Sequence, residues 1–112
     1  MPDIGNSLRE GMFSVILCTT PTTETEKIAR ALVEEKLVAC VNVSEVTSHF
    51  KWEGKLQEER EALLIMKTKT DKLPEIVERI TELHSYEIPE IIALPIIDGH
   101  KRYFDWVRES VE

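Results

Sequence analysis

The feature that most constrains the fold is a long stretch of strand-forming residues that turns back on itself. Residues 37–43 form a continuous apolar run, and in residues 46–52 apolar and polar side chains then alternate with a period of two. Glu53-Gly54-Lys55 is a turn signal, and residues 58–69 return with hydrophobic side chains on both faces. The sequence therefore predicts one long hairpin, bulged near residues 42–45 and covered on both faces in its middle.

A strand and an amphipathic helix precede the hairpin. The apolar run at residues 12–18 is too short for a typical helix and rich in strand formers, so it predicts a buried strand that Thr19-Thr20-Pro21 ends. Thr23 and Glu26 have the spacing of a capping box, which predicts a helix start. The helix that follows carries an apolar stripe of Ile28, Ala29, Leu32 and Val33.

A second helix, a strand and a third helix follow the hairpin. Thr70 or Asp71 is expected to cap the second helix, in which Pro74 is acceptable only in the first turn. The apolar run at residues 91–94 predicts the last strand. Because proline cannot donate to a ladder, Pro95 predicts that this strand ends there or lies at a sheet edge. The apolar residues of the two helices are Leu73, Ile76, Val77, Ile80 and Leu83, then Tyr103, Trp106, Val107 and Val111.

The order of these elements, β-α-β-β-α-β with a C-terminal helix, is the ferredoxin-like arrangement of the α+β class. We expect residues 12–112 to form one such domain and residues 1–11 to form a short flexible tail. The hairpin carries more apolar and aromatic surface than two helices can cover, including Phe50 and Trp52. Such an extended edge is exposed unless another copy pairs with it, so the pattern predicts an oligomer.

Composition and motifs exclude several function classes. The chain has 14 Lys and Arg against 21 Asp and Glu, a formal charge of −7 and no basic stripe, which argues against nucleic acid and anionic membranes as partners. No apolar run approaches the roughly 20 residues that span a bilayer. Nucleophile-elbow, P-loop and zinc-protease motifs are missing, so the sequence favours a binding protein over an enzyme. Cys18 and Cys40 fit no zinc or redox spacing and predict a reduced, cytoplasmic protein.

Several segments together resemble the CutA family, the small divalent-cation tolerance proteins. Their order and spacing match over nearly the whole chain, and their co-occurrence is highly specific although no single motif decides it. The segments are residues 36–42 (KLVACVN), 52–55 (WEGK), 61–68 (EALLIMKT) and 84–95 (HSYEIPEIIALP), followed by Tyr103 and Trp106.

The resemblance implies a ferredoxin-like fold, a tight homotrimer built by the long hairpins, and binding of copper or other divalent ions. The family also resembles the PII signalling proteins in fold and trimeric form, and relatives in animals have been linked to anchoring of acetylcholinesterase. The chain departs from some relatives around His84, where Leu83 and Ser85 stand in place of a second histidine and a proline. A metal site that relies on paired histidines is therefore weakened here.

Cys18, Glu61 and His84 match family positions proposed to bind metal. They offer the thiolate, carboxylate and imidazole donors that soft and borderline metals prefer. In a ferredoxin-like sheet all three are expected near the same end, which predicts an open, weak site for copper or another divalent cation. The alternatives are core packing for Cys18, a helix C-terminal cation for His84 and a solvated strand-end charge for Glu61.

A second candidate site consists of Trp52, Lys67, Tyr86 and Glu90. A flat aromatic ring, a cation, a phenol and a carboxylate are the ingredients of a small-ligand cleft. In a trimer, the hairpin tip of one chain is expected to meet the connector at residues 84–90 of a neighbour. The alternative is that Trp52 and Tyr86 anchor the subunit interface while Lys67 and Glu90 form an ordinary ion pair.

Two functions are consistent with these residues, and neither is enzymatic. The first is a homotrimer that binds divalent cations, copper above all, and contributes to metal-ion tolerance. The second is a PII-like sensor or scaffold trimer that binds a small metabolite or a partner protein in clefts between its subunits.

Overall fold

The computed structural model describes residues 12–112. The predicted tail at residues 1–11 lies outside the described residues. The elements are β1 (Phe13–Pro21), α1 (Thr25–Glu34), β2 (Cys40–Trp52), β3 (Lys55–Lys69), a 3₁₀ turn (Thr70–Lys72), α2 (Leu73–Leu83), β4 (Ile91–Ile96) and α3 (Lys101–Ser110).

The four strands form one antiparallel sheet in the order β2-β3-β1-β4. This order, with β1 between β3 and β4, confirms the predicted ferredoxin-like fold. Since β4 lies at the edge, Pro95 removes no hydrogen bond from the sheet interior. No helix among residues 12–112 is long and apolar enough to cross a membrane.

Helices α1 and α2 cover one face of the sheet. On β1 every second residue is buried, and Ile16 and Cys18 lie directly opposite Met66 and Leu64 of β3. The helices supply the rest of the core from the predicted stripes, namely Ile28, Leu32, Ile76 and Ile80, all fully buried. Every second residue of the strands and one face of each helix therefore pack together in the core between the sheet and the helices.

No helix of residues 12–112 crosses the middle of the opposite face of the sheet, and we call this the open face. It carries Leu17, Leu63 and Ile65, each only partly buried in the single chain, and the exposed Ile92 and Leu94. The predicted cover on both faces of β3 is therefore incomplete in one chain. At one end of this face Val107 of α3 and Val111, which directly follows α3, pack with Phe13 and Ala39.

The hairpin is regular and longer than the rest of the sheet. The β2–β3 register runs unbroken from Cys40 opposite Lys67 to Trp52 opposite Lys55, so the predicted bulge is wrong. The ladder between β1 and β3 ends where Pro21 faces Glu61, so residues 47–52 and 55–60 pair only with each other. We call this two-stranded part the tongue.

The tongue ends in a two-residue turn. Glu53 has φ of 51° and Gly54 has φ of 79°, and two successive positive φ values are the geometry of a type I′ turn. This turn matches the twist of the flanking strands, which explains why the hairpin needs no bulge to close.

Three local predictions were wrong at element ends. β1 continues through Thr19-Thr20-Pro21, because Pro21 occupies the last position of the strand, where a missing N–H costs little. The N-cap of α1 is Glu24, without a side-chain cap, so Thr23 and Glu26 form no capping box. Thr70 and Asp71 lie in the 3₁₀ turn, and Lys72 is the N-cap of α2. Pro74 does lie in the first turn of that helix.

Candidate functional site

A groove lies between the tongue and the connector that follows α2, and we call it the hairpin groove. Its volume is about 810 Å³, within the range of small-molecule sites. Its lining residues are Thr19, Ser48, His49, Phe50, Trp52, Gln57, Glu59, Glu61, Ser85, Tyr86, Glu87, Ile88 and Glu90. One chain therefore already brings its own hairpin and its own connector together.

His84 fixes the start of the connector. Its Nε2–H donates to the carbonyl oxygen of Thr19 at 2.8 Å, and its Nδ1 accepts from the Tyr86 N–H at 3.0 Å. These partners assign the neutral tautomer with the proton on Nε2. The imidazole also contacts the Tyr86 ring, with 4.8 Å between ring centroids. Both ring nitrogens of the buried His84 are therefore engaged within the chain.

Glu24 holds the next residue of the connector. Its Oε1 accepts a hydrogen bond from the Ser85 N–H at 2.9 Å. Desolvation alone raises the pKa of Glu24, but the hydrogen bonds from Ser85 outweigh it and hold that pKa below its ordinary value. The N-terminal end of α1 and the C-terminal end of α2 are thus joined at the rim of the groove.

Glu61 lies on the floor of the groove and is only 4% exposed. Its position opposite Pro21 places it on the open face, where the connector covers it. Its Oε2 has no hydrogen-bond partner within the described part of the chain. The expectation of a solvated strand-end charge is therefore wrong, because cover comes from residues distant in sequence.

Tyr86 lies beside that carboxylate. Burial, hydrogen bonding to Glu61 and the negative charges of Glu61 and Glu59 raise the pKa of Tyr86 to about 12. The phenol therefore keeps its proton at neutral pH and acts as a donor toward Glu61.

Cys18 lies on the other face of the sheet from Glu61. It is fully buried in the core, and its Sγ lies 3.6 Å from the carbonyl oxygen of Thr19. Burial first, and then the charges of Glu90 and Glu61, raise the pKa of the Cys18 thiol to about 12. A metal needs the thiolate, which this environment disfavours.

The predicted metal ligands do not fit a metal site within one chain. Cys18 and Glu61 point to opposite faces of the sheet, and His84 has no free ring nitrogen. Between residues 12 and 112, no three His, Cys, Asp or Glu side chains are grouped so that they could hold one ion. The metal site itself stays a prediction.

The predicted ligand cleft is brought together except for its cation. Trp52, Tyr86 and Glu90 line the hairpin groove, whereas Lys67 does not. The Lys67 ammonium instead hydrogen-bonds Oδ1 of Asn42 on the neighbouring strand. No ion pair joins Lys67 to Glu90 among the described residues.

Other lining residues were not identified from the sequence, although a signal for them exists. Ser48 and Phe50 alternate with Trp52 on β2, and they lie opposite Glu59 and Gln57 of β3. Directly opposed residues share a face of the sheet. The period of two, continued through the turn, therefore places these three residues of β2 and two residues of β3 on the same face as Glu61.

The chain matches a known family model and known proteins over most of its length. Residues 14–110 match the family model described as CutA1 divalent ion tolerance protein. The divalent-cation tolerance protein CutA of Thermus thermophilus is 48% identical over 101 residues, covering 88% of this chain and 98% of that protein. Human protein CutA is 38% identical over 98% of this chain, which spans 63% of the human protein's length.

Solved structures give the same result. The periplasmic divalent cation tolerance protein CutA from Archaeoglobus fulgidus superimposes with a TM-score of 0.88 at 42% identity, covering 90% of this chain and all 100% of that one. The PII-like protein CutA from Nostoc, in its apo form, gives a TM-score of 0.85 at 37% identity over 88% of this chain and 97% of the other. The chain therefore belongs to the CutA1 divalent ion tolerance family.

Proposed function

We propose that the chain assembles as a homotrimer through its long hairpin. The tongue is a two-stranded hairpin that carries exposed apolar side chains, among them Leu56, which is 75% exposed. A two-stranded hairpin without further cover is only marginally stable in water. The exposed Ile92 and Leu94 extend the apolar surface across the open face. A second and third copy would bury Leu56 and the middle of the open face, and would leave the hairpin groove as a cleft at the edge of the subunit interface.

Light scattering tests this assembly. The expected mass is about three times the 12.9 kDa of one chain. Leu94→Asp on the open face is expected to dissociate the trimer, whereas Val77→Asp, on the exposed side of α2, leaves the mass unchanged. A wild-type mass equal to one chain would contradict the proposal.

We infer that the trimer is a sensor or scaffold of the PII-like type rather than an enzyme, and that its ligand occupies the hairpin groove. The observation that carries this inference is the buried Glu61 carboxylate, which has one unpartnered oxygen inside a groove large enough for a small molecule. Buried polar atoms in native proteins are usually satisfied, so an orphaned one at a groove indicates a missing partner.

A pair of tryptophans provides a matched test of the groove. Trp52 is 44% exposed and lines it, while Trp106 is 45% exposed on α3 and does not. In a thermal-shift screen of charged and neutral small molecules, we expect at least one class to stabilise the trimer. Trp52→Ala removes that stabilisation and Trp106→Ala keeps it. Equal responses of the two variants would refute the assignment to the groove.

A divalent cation, copper above all, is the second candidate for the same groove. The observation in its favour is the acidic lining, which includes Glu59, Glu61, Glu87 and Glu90. Because one chain does not group three such donors, carboxylates of a neighbouring subunit would have to complete the coordination shell.

Copper titration of the reduced, metal-free protein by calorimetry separates the candidate sites. Binding in the groove predicts that Glu61→Gln lowers copper affinity while Cys18→Ser does not. Loss of tight binding in Cys18→Ser or His84→Ala would instead support the site predicted from Cys18, Glu61 and His84.

We propose a reducing, cytoplasmic location. Cys18 and Cys40 are both free thiols in the fold. Oxidising compartments favour disulfides, so free cysteines fit the cytoplasm. Thiol labelling of protein extracted without reductant tests this, since blocked thiols would argue against it.

A further inference from the structure

The floor of the hairpin groove presents one free hydrogen-bond acceptor. Glu61 is more than nine-tenths buried, and its Oε2 has no partner among residues 12–112. Tyr86 serves as a hydrogen-bond donor toward the same carboxylate from the connector side. The group that completes Glu61 must therefore donate a hydrogen bond or carry a positive charge, and it must reach Glu61 from the groove.

The walls of the groove favour a positive charge. Glu59, Glu87 and Glu90 line it together with Glu61, and the lining residues include neither Lys nor Arg. Lys67, the cation predicted for this cleft, does not line the groove and hydrogen-bonds Asn42 elsewhere on the sheet. The four carboxylates disfavour an anionic ligand, whereas a cation with an N–H group gains a charge-assisted hydrogen bond.

Aromatic side chains on both sides distinguish an organic cation from a metal ion. Phe50 and Trp52 line the groove from the tongue, and Tyr86 lines it from the connector. Aromatic faces attract ammonium and guanidinium groups, and they contribute nothing to a metal's coordination shell. The described residues also lack the three grouped donors that a metal ion requires.

We propose that the hairpin groove binds a small organic cation with N–H donors, a primary ammonium or a guanidinium, which donates to Oε2 of Glu61 and lies against Trp52. This deepens the proposed function and rests on the groove being the ligand site. The cation comes either from a free amine or from a basic side chain of a protein, and both present the same group.

The test is calorimetric titration of the full chain in its native assembly with three matched probes. These are 1,5-diaminopentane, its fully methylated analogue 1,5-bis(trimethylammonio)pentane, and glutarate, which carry two primary ammonium groups, two quaternary ammonium groups without a hydrogen-bond donor, and two carboxylates. We expect 1,5-diaminopentane to bind at least about tenfold more tightly than its quaternary analogue, which has no hydrogen-bond donor for Glu61. Glutarate is expected not to bind.

Variants locate the interaction. Glu61→Gln keeps the side chain's size and removes its charge, and is expected to weaken 1,5-diaminopentane binding about tenfold or more. Glu78→Gln, an exposed change on α2, leaves binding unchanged. If Glu61→Gln fails to fold, Glu90→Gln serves as the second variant and is expected to weaken binding in the same direction.

The outcomes separate this inference from the function on which it rests. Tighter binding of glutarate, or equal binding of 1,5-diaminopentane and its quaternary analogue, would contradict an organic cation with N–H donors but leave the groove as a ligand site. Binding of none of the probes, together with no ligand in the broader screen, would overturn both. A lysine-containing tripeptide with blocked ends that binds more tightly than the free diamine would support the same chemistry and identify a protein as its source.

Discussion

His84→Ala is the change whose consequences follow most directly from the structure. The imidazole makes two hydrogen bonds, to the Thr19 carbonyl at 2.8 Å and from the Tyr86 N–H at 3.0 Å. Each contributes about 0.5–1.5 kcal/mol to stability, and an aromatic contact such as that with the Tyr86 ring adds about 0.5–1.5 kcal/mol. We therefore expect His84→Ala to lower the free energy of unfolding by about 2–4 kcal/mol.

Two measurements test this value. Guanidinium unfolding at fixed protein concentration gives the loss of stability, and hydrogen exchange reports the Tyr86 amide, which should exchange faster once Nδ1 is gone. His49→Ala is the matched control, because His49 is 62% exposed and makes only a 4.0 Å contact with Glu58. A stability change within about 0.5 kcal/mol of wild type, as for ordinary surface substitutions, with unchanged Tyr86 exchange, would refute the structural role of His84.

Other predictions concern the core thiol, a helix and the turn. Burial raises the pKa of the Cys18 thiol from its ordinary value of 9.0 to about 12, so this residue's contribution to stability is complete below pH 9 and is lost as pH rises toward 12. The measurement is the free energy of unfolding between pH 9 and 12, which should fall with rising pH more steeply in the wild type than in Cys18→Val. In denaturant unfolding, Ile80→Ala should lower the free energy of unfolding by about 2–5 kcal/mol. Val77→Ala, at an exposed position on the same helix, should change it by no more than about 0.5 kcal/mol. Equal losses of stability in the two variants would contradict the assigned core. Gly54→Ala, at φ of 79°, should lower the free energy of unfolding by about 1 kcal/mol or more, while Glu53→Gly, at φ of 51°, should not, and the reverse order of melting temperatures would contradict the turn.

The periodic features of the fold could be predicted because they depend on near neighbours in sequence. The stripes that contain Ile28 and Ile80, the alternation around Phe50 and the edge position of Pro95 were confirmed. Element ends were less predictable, since competing hydrogen bonds decide them. The Thr25 hydroxyl bonds the Thr20 side chain and the Pro21 carbonyl, which helps to fix the start of α1 without a capping box.

The candidate site could be predicted only in part. Trp52, Tyr86 and Glu90 line one groove within a single chain, rather than between neighbours as expected, because the topology brings the tongue and the connector together. The burial of Glu61 and the engagement of both His84 nitrogens depend on how residues 84–86 fold across the end of β1. Such contacts join residues far apart in the chain, and no local pattern encodes them.

The central claim is that the hairpin groove, with Glu61 at its floor, is the ligand site. The most direct measurement is a two-dimensional amide NMR titration of the deuterated protein with 1,5-diaminopentane, followed residue by residue. We predict shifts concentrated at Glu61, Tyr86 and Glu90, and their loss in Glu61→Gln. Shifts concentrated around Cys18 in the core, on α3 or nowhere, or shifts that persist in Glu61→Gln, would contradict the claim.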